Sequence, residues 1–366
     1  MRIVLVLVTA SLLLTACRGE QRPNVEILGG ASASVSGADD PALSAAGTPK
    51  YRTSSQQDVA LQMSLDLRDM RSIINLAIDG RPVEWERARV IYEQGKNQKR
   101  PNGTLRSFAS LADADGESAF PNGAAVYGRS GFLDGIIRDG LTGAGRAQGL
   151  SDDSRRAIVD RGVQMLFYAR AMHGITLAKA RVEAKSPDAP AALDEAWAII
   201  AGPNNADGVR TYSILNAAVA REAEFKLTGR LAQPLENAFI AALAAMQKGD
   251  AATFNRNATD AAGFLNATFA LGVLRAAKQA EGAGSEATRQ TYLVEGWTSY
   301  QAIRAAIASG APAQAATLEA MLSRSSSEPF SATETAKVYA ALNDPAVLRA
   351  LGWPAAVQVA TPPTGS

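Results

Sequence analysis

From Gln56 to Leu351 one pattern recurs: apolar residues at spacings of three and four, with alternating Val, Ile and Thr segments nearly absent. That period lines apolar side chains along one face of an α-helix. The first stretch carries Val59, Met63, Leu67, Met70, Ile73, Ile74 and Ala77 in register, and Gly80-Arg81-Pro82 stops it. Pro82 is placed to open the next helix, with Trp85, Ala88, Ile91 and Tyr92 on its apolar side. Residues 95–130 are loop-rich, with Pro101-Asn102-Gly103 and Pro121-Asn122-Gly123 as turns. The spacing then predicts helices near 131–141, 152–184, 189–201, 210–228, 233–248, 251–281, 285–309, 312–323, 332–342 and 345–351. Gly249-Asp250 starts the one at 251, and Ser331 with Glu334 fits a capping box. The expected fold class is all-α and multi-helix.

Composition narrows the chemistry. Lys and Arg total 37 against 36 Asp and Glu, so no net field draws in nucleic acid, and no nucleic-acid partner is expected. His173 is the only histidine, which excludes a multi-histidine zinc or haem site within one chain. A Ser-His-Asp triad would have to use His173, which sits in a helical pattern with no nucleophile elbow nearby. EF-hand, Walker A and H-E-x-x-H patterns are absent. The expectation is a protein that is not an enzyme. Any metal it takes would be held mostly by oxygen, which suits hard ions such as Fe³⁺, Ca²⁺, Mg²⁺ and Mn²⁺.

The N-terminus carries Arg2, an apolar run from Ile3 to Leu14 and then Thr15-Ala16-Cys17. This is the architecture of a secretory signal, too short to span a bilayer. Leu14-Thr15-Ala16-Cys17 resembles the lipobox of bacterial lipoproteins, which implies a signal peptide over 1–16 and a lipidated Cys17 as the new N-terminus. Arg18 follows where members retained at the inner membrane usually carry Asp, so the resemblance points to the outer membrane, facing periplasm or cell surface. The membrane would then be a partner through the N-terminal lipid. Cys17 is the only cysteine, so once lipidated it leaves no thiol for disulfides. Residues 17–54 read as the lipidated Cys and a flexible, disordered tether reaching roughly 35 Å. A helical domain over 55–352 and a C-terminal tail over 353–366 complete the organisation.

Two segments hint at duplication. "DEAWAIIAG" (194–202) and "VEGWTSYQAI" (294–303) each carry Glu, a small residue and Trp after a long Ala-rich helix and a polar loop. Related halves at 55–205 and 206–352 would place a cleft between them, where ligands often sit. Chance likeness between Ala-rich helices is the alternative.

"IYEQGKNQKRPNGTLRSFASL" (91–111), "YGRSGFLDGIIRDGLTGAG" (127–145), "DEAWAIIAG" and "YLVEGWTSYQAI" together resemble the Fe-assimilating, low-iron-inducible periplasmic proteins, whose relatives include the phytotransferrins. The resemblance implies capture of ferric iron at a cell envelope, with a carbonate-like anion assisting and an iron-uptake transporter as a partner downstream.

Ferric iron wants phenolate and carboxylate oxygens, and an assisting anion wants an Arg nearby. Tyr127 and Asp134 share one loop-to-helix segment with Arg129, a metal-plus-anion corner. The alternative there is Tyr127 packed on the core with Asp134 paired to Arg138 one turn on. Tyr168 and His173 are five apart on one helix, about 140° round its axis, so at most one can ligate a given ion. A lone His on a mostly apolar helix also reads as a satisfied core residue. Glu195 and Glu295, each two positions before a Trp, are either acidic ligands facing a cleft or solvated helix charges. The leading expectation is an envelope lipoprotein that binds Fe³⁺ through Tyr127, Asp134, Glu195, Glu295 and one of Tyr168 or His173, with Arg129 as the anion contact. The alternative is a helical structural or adaptor lipoprotein with no small-molecule ligand.

Overall fold

The computed structural model describes residues 50–112, 126–128, 131–203, 212–324 and 327–360. Cys17, the signal and tether as far as residue 49, and Arg129 lie outside the described residues. All that is described belongs to one unit spanning 34–366. Among the described residues run thirteen α-helices: α1 (Asp58–Leu61), α2 (Met63–Ile74), α3 (Trp85–Gln94), α4 (Phe132–Thr142), α5 (Asp152–Glu183), α6 (Ala189–Ala201), α7 (Ile214–Phe225), α8 (Ala232–Gln247), α9 (Ala251–Glu281), α10 (Glu286–Gly310), α11 (Pro312–Leu322), α12 (Ala332–Leu342) and α13 (Pro345–Leu351). Among the described residues the extended backbone pairs only at an isolated bridge, Lys99 with Leu105. The fold is all-α.

Side-chain caps mark six of the described helix starts. Ser151, Asp250 and Ser285 accept the backbone N–H three residues on at the heads of α5, α9 and α10, the three longest helices. Ser331 and Glu334 form the reciprocal capping box that opens α12. The first helical stretch departs from its expectation. It breaks at Gln62 between α1 and α2 and tightens into a 3₁₀ turn over Asn75–Asp79, which left-handed Gly80 ends. Pro82 does not open α3, which starts three residues later at Trp85.

The long helices form the frame. α9 packs against α10 and α8, while α5 packs against α6 and α10. Alanines and glycines let these axes come close. A Cβ on Gly174 of α5 would stand 2.9 Å from the Ala196 Cβ of α6, and one on Gly263 of α9 would stand 2.2 Å from the Gly352 carbonyl oxygen. One continuous core runs through the helices, from Tyr51 to Val357. Trp197 of α6 lies in it, its ring 5.2 Å from that of Tyr51 and 5.3 Å from that of Phe239.

The residues just before α1 are tied to α6. Asp194, fully buried, accepts from the Tyr51 hydroxyl at 2.6 Å and from the Ser54 backbone N–H, Ser54 Oγ and Ser55 Oγ at 2.8 Å each. Four hydrogen bonds to one carboxylate anchor this segment without a cation. No helix among the described residues is long and apolar enough to cross a membrane.

Candidate functional site

Four helices line a shared cavity of about 20 Å³. α5 contributes Arg161 and Gln164, and α7 contributes Ile214, Ala217 and Arg221. α9 adds Thr268, Phe269 and Gly272, and α10 adds Glu295 and Ser299. On each helix these positions include pairs three or four apart, the spacing that puts side chains on one face. The volume exceeds the roughly 10–15 Å³ that one water needs and falls far below a drug-sized pocket. That space suits a small polyatomic ion or one to two waters.

Glu295 dominates the floor. Its Oε1 accepts from Arg161 Nε at 2.9 Å, from Arg161 Nη2 and from Arg275 Nη1 at 2.7 Å. Burial alone would raise this carboxyl, but Arg161 and Arg275, with Arg221 beyond them, outweigh it and hold it down at about 2. Oε2 accepts no hydrogen bond from the described residues. Behind Glu295 the network continues. Buried Asp160 is paired to Arg71 Nε at 2.5 Å and accepts from Gln164 Nε2 at 3.1 Å. Its carboxyl is likewise held at about 2, burial being outweighed by Arg71 and Arg161. Arg275 Nε reaches Glu224 Oε1 at 2.9 Å.

Arg221 stands apart in this network. It is 7% exposed, and its one ion pair runs from Nη1 to Glu224 Oε2 at 2.9 Å. That contact is not aligned as a hydrogen bond, since Glu224 Oε2 is buried with no hydrogen-bond partner among the described residues. Burial, followed by repulsion from Arg275, pushes the guanidinium down to about 10. Across this network Arg71, Arg161, Arg221 and Arg275 stand against Asp160, Glu224 and Glu295, and of these Arg161, Arg221 and Glu295 line the cavity.

The residues singled out in the sequence are spread over other places. The Tyr127 hydroxyl donates to the Gln301 carbonyl at 2.6 Å, and its ring stacks on Phe132 at 3.6 Å. Asp134 accepts from the Tyr92 hydroxyl at 2.7 Å and pairs with Arg138 Nε at 2.7 Å, the local pairing that its spacing also allowed. Tyr168 is buried and donates to Asn266 Oδ1 at 2.6 Å. Burial pushes both Tyr127 and Tyr168 up, and the Tyr168 phenol raises Tyr127 further. His173 lies half-buried on α5, one turn beyond Arg170.

Glu195 pairs with Arg170 Nη2 at 3.0 Å and Arg106 Nη1 at 3.2 Å. Burial works against its ionised form, and Arg170 and then Arg106 outweigh it, lowering the carboxyl. Both Glu-x-Trp glutamates therefore take an arginine from the long helix before them: Glu195 takes Arg170 of α5 and Glu295 takes Arg275 of α9. Their other partners differ, and Arg161 and Arg170 lie roughly 13 Å apart along α5. Among the described residues, no group of three or more His, Cys, Asp or Glu stands ready to hold a metal ion.

Sequence reading missed the arginines. A signal was present: Arg221 falls four after Ala217 and seven after Ile214, in step with the apolar face of α7. A charge at a core-facing position is expensive unless it is paired or serves a ligand.

A family model described as low iron-inducible periplasmic protein matches residues 27–295. No curated protein matches the chain, and no solved structure does.

Proposed function

This chain belongs to the low iron-inducible periplasmic protein family, and from that premise we propose that it serves iron acquisition in the cell envelope as a non-enzymatic carrier of ferric iron. It would be held at the outer membrane by lipid on Cys17 and pass its cargo to an uptake transporter. One observation carries the choice of site: of the candidate donors, Glu295 lines the arginine-rimmed cavity and keeps Oε2 clear of the described donors. A bare trivalent cation would be repelled by Arg161, Arg221 and Arg275. The cargo is therefore ferric iron arriving with anionic oxygen ligands, a carbonate-like anion among them. The arginines then neutralise the anion while Glu295 offers the metal a hard oxygen.

The competing reading, a helical adaptor with no small-molecule ligand, draws on the other candidates. Tyr127, Asp134, Tyr168 and Glu195 all direct oxygens to protein partners. An adaptor, however, wants an apolar docking face, and the large apolar side chains left exposed among the described residues are Val90 and Leu105 alone.

The test is iron retention by the lipid-free chain beginning after Cys17, mixed with ferric citrate and bicarbonate and then desalted. One iron per chain without a phenolate charge-transfer band is expected, because the Tyr127 and Tyr168 hydroxyls both donate internally. A visible band would bring the tyrosines into the donor set, and Tyr127→Phe would then bleach it. No retention by a folded chain would move the adaptor reading to first place.

A further inference from the structure

We propose that the cavity between α5, α7, α9 and α10 is a receptor for a small oxyanion that still carries a proton at neutral pH, with hydrogen phosphate as its tetrahedral representative. The inference concerns the same cavity as the iron reading but stands without iron.

Two complementary groups carry it. Arg221 is a buried cation lining the cavity, and no hydrogen bond from its guanidinium reaches any described residue. A buried guanidinium has five N–H donors and gains stability only by giving them to acceptors. Here it is surrounded by Arg161 and Arg275, and its carboxylate partner Glu224 is shared with Arg275. An anion oxygen in the cavity supplies what Arg221 lacks. Glu295 Oε2 has the opposite need. It is an acceptor on a carboxyl held ionised by its arginines, and it takes nothing from the described residues.

A ligand that accepts on one side and donates on the other satisfies both. Hydrogen phosphate and bicarbonate each carry an O–H and several acceptor oxygens. Sulfate carries no proton near neutrality, and its oxygens would be set against the Glu295 carboxylate. The hydroxyls of Thr268 and Ser299 already donate along their own helices, to the Phe264 carbonyl at 3.0 Å and the Glu295 carbonyl at 2.9 Å. They leave only lone pairs to the cavity, a second reason for the ligand to carry a donor. The size agrees, since about 20 Å³ admits a four- or five-atom ion and no organic chelate.

Gly272 supplies a variant that keeps the fold. A Cβ there meets Ser299 Oγ at 3.7 Å and Ser299 Cβ at 3.8 Å, ordinary contact distances, while adding a methyl group to the cavity wall. Alanine is also the better helix former.

The experiment is calorimetric titration of the full chain in detergent, iron-free and in a buffer without oxyanions, with inorganic phosphate, sulfate and bicarbonate in separate arms. Phosphate or bicarbonate is expected to bind one per chain, with sulfate at least about tenfold weaker, the effect of one charge-assisted hydrogen bond gained or opposed. The two proton-bearing arms decide which ion the cavity prefers. Gly272→Ala and Arg221→Met should each weaken that binding by about tenfold or more, and Glu295→Gln should bring sulfate up to the level of phosphate. Equal binding of sulfate and phosphate by the native chain overturns the proposal. So does absence of any response, or a response that Gly272→Ala leaves intact. Iron retention with no oxyanion response would sink this inference alone, whereas an oxyanion response with no iron retention would sink the iron reading and leave this one.

Discussion

Replacing Arg221 by Met should stabilise the protein in the absence of oxyanions, the reverse of what removal of a buried ion-pair partner ordinarily does. The folded protein pushes this guanidinium down to about 10, through burial and the neighbouring Arg275. Set against the usual range for arginine, that disfavours the charged form by on the order of 3 kcal/mol. The sign follows from linkage. A basic group with a lowered folded value binds its proton less well in the folded state, so at neutral pH its charge detracts from stability, and the penalty fades only as pH rises past about 10. Methionine keeps most of the side-chain volume, removes the charge and leaves Glu224 its pairing with Arg275 at 2.9 Å. After allowance for the lost pairing with Glu224, a gain of about 1–3 kcal/mol is expected, in line with neutral replacement of poorly compensated buried charges. Urea unfolding at pH 7 in an oxyanion-free buffer measures it, with phosphate added in a parallel series. Native protein should rise toward Arg221→Met as phosphate is added, and the variant should not respond. A loss of more than about 1 kcal/mol in Arg221→Met would refute the reasoning, because Arg221 would then be a structural partner of Glu224.

Other consequences are read from the same framework. Glu295 and Asp160 are both held at about 2, so the stability they lend is complete above their ordinary values of 4.5 and 3.8 and drains away as pH falls toward 2. Urea midpoints between pH 5 and pH 2 should show this fall, and Asp160→Asn should flatten it. Asp194→Ala should cost about 2–4 kcal/mol and expose Lys50 and Arg52 to trypsin, because four donors lose their acceptor. Unchanged cleavage kinetics would show that the segment before α1 is held by other contacts. Gly263→Ala places a methyl 2.2 Å from the Gly352 carbonyl oxygen, backbone against backbone, and should cost about 1–3 kcal/mol or more in thermal unfolding.

The helices were legible because their ends and faces are written locally. α9, α12 and α13 occupy the expected spans, and Asp250 and the Ser331–Glu334 box cap two of them as their sequence suggests. The stretch from Gln56 reads as one helix because apolar spacing reports which face is buried, not which carbonyl each N–H reaches. Ala77 therefore keeps its place in the pattern although the chain has tightened into a 3₁₀ turn there. α7 begins at Ile214, later than its pattern suggested, because Ser213 caps it and Tyr212 before it has a positive φ of 61°. The lone His and lone Cys excluded whole classes of site. The donor set was not legible, because the fate of Tyr127, Tyr168 and Glu195 depends on Gln301, Asn266, Arg106 and Arg170, brought in by tertiary packing.

The two Glu-x-Trp segments show how similar local sequence diverges through what packs on it. Each Trp settles into the core, and each Glu is taken by an arginine from the preceding long helix. At Glu195 the second arginine, Arg106, comes from the residues after α3. At Glu295 the second arginine comes from α5, and α7 sets Arg221 against the same space. The difference lies in the third cation and in Gly272, whose missing side chain leaves room beside Ser299. At Glu195 two arginines share one carboxylate, and Arg106 Nη2 is itself buried without a hydrogen-bond partner among the described residues. Beside Glu295 a further buried arginine, Arg221, lines the cavity, and burial with the nearby Arg275 disfavours its charge. At this core-facing position of α7 the proposed oxyanion would offset the charge that Glu224 compensates only in part. On that proposal the function rests on the segment at Glu295 and on α7, and not on the segment at Glu195.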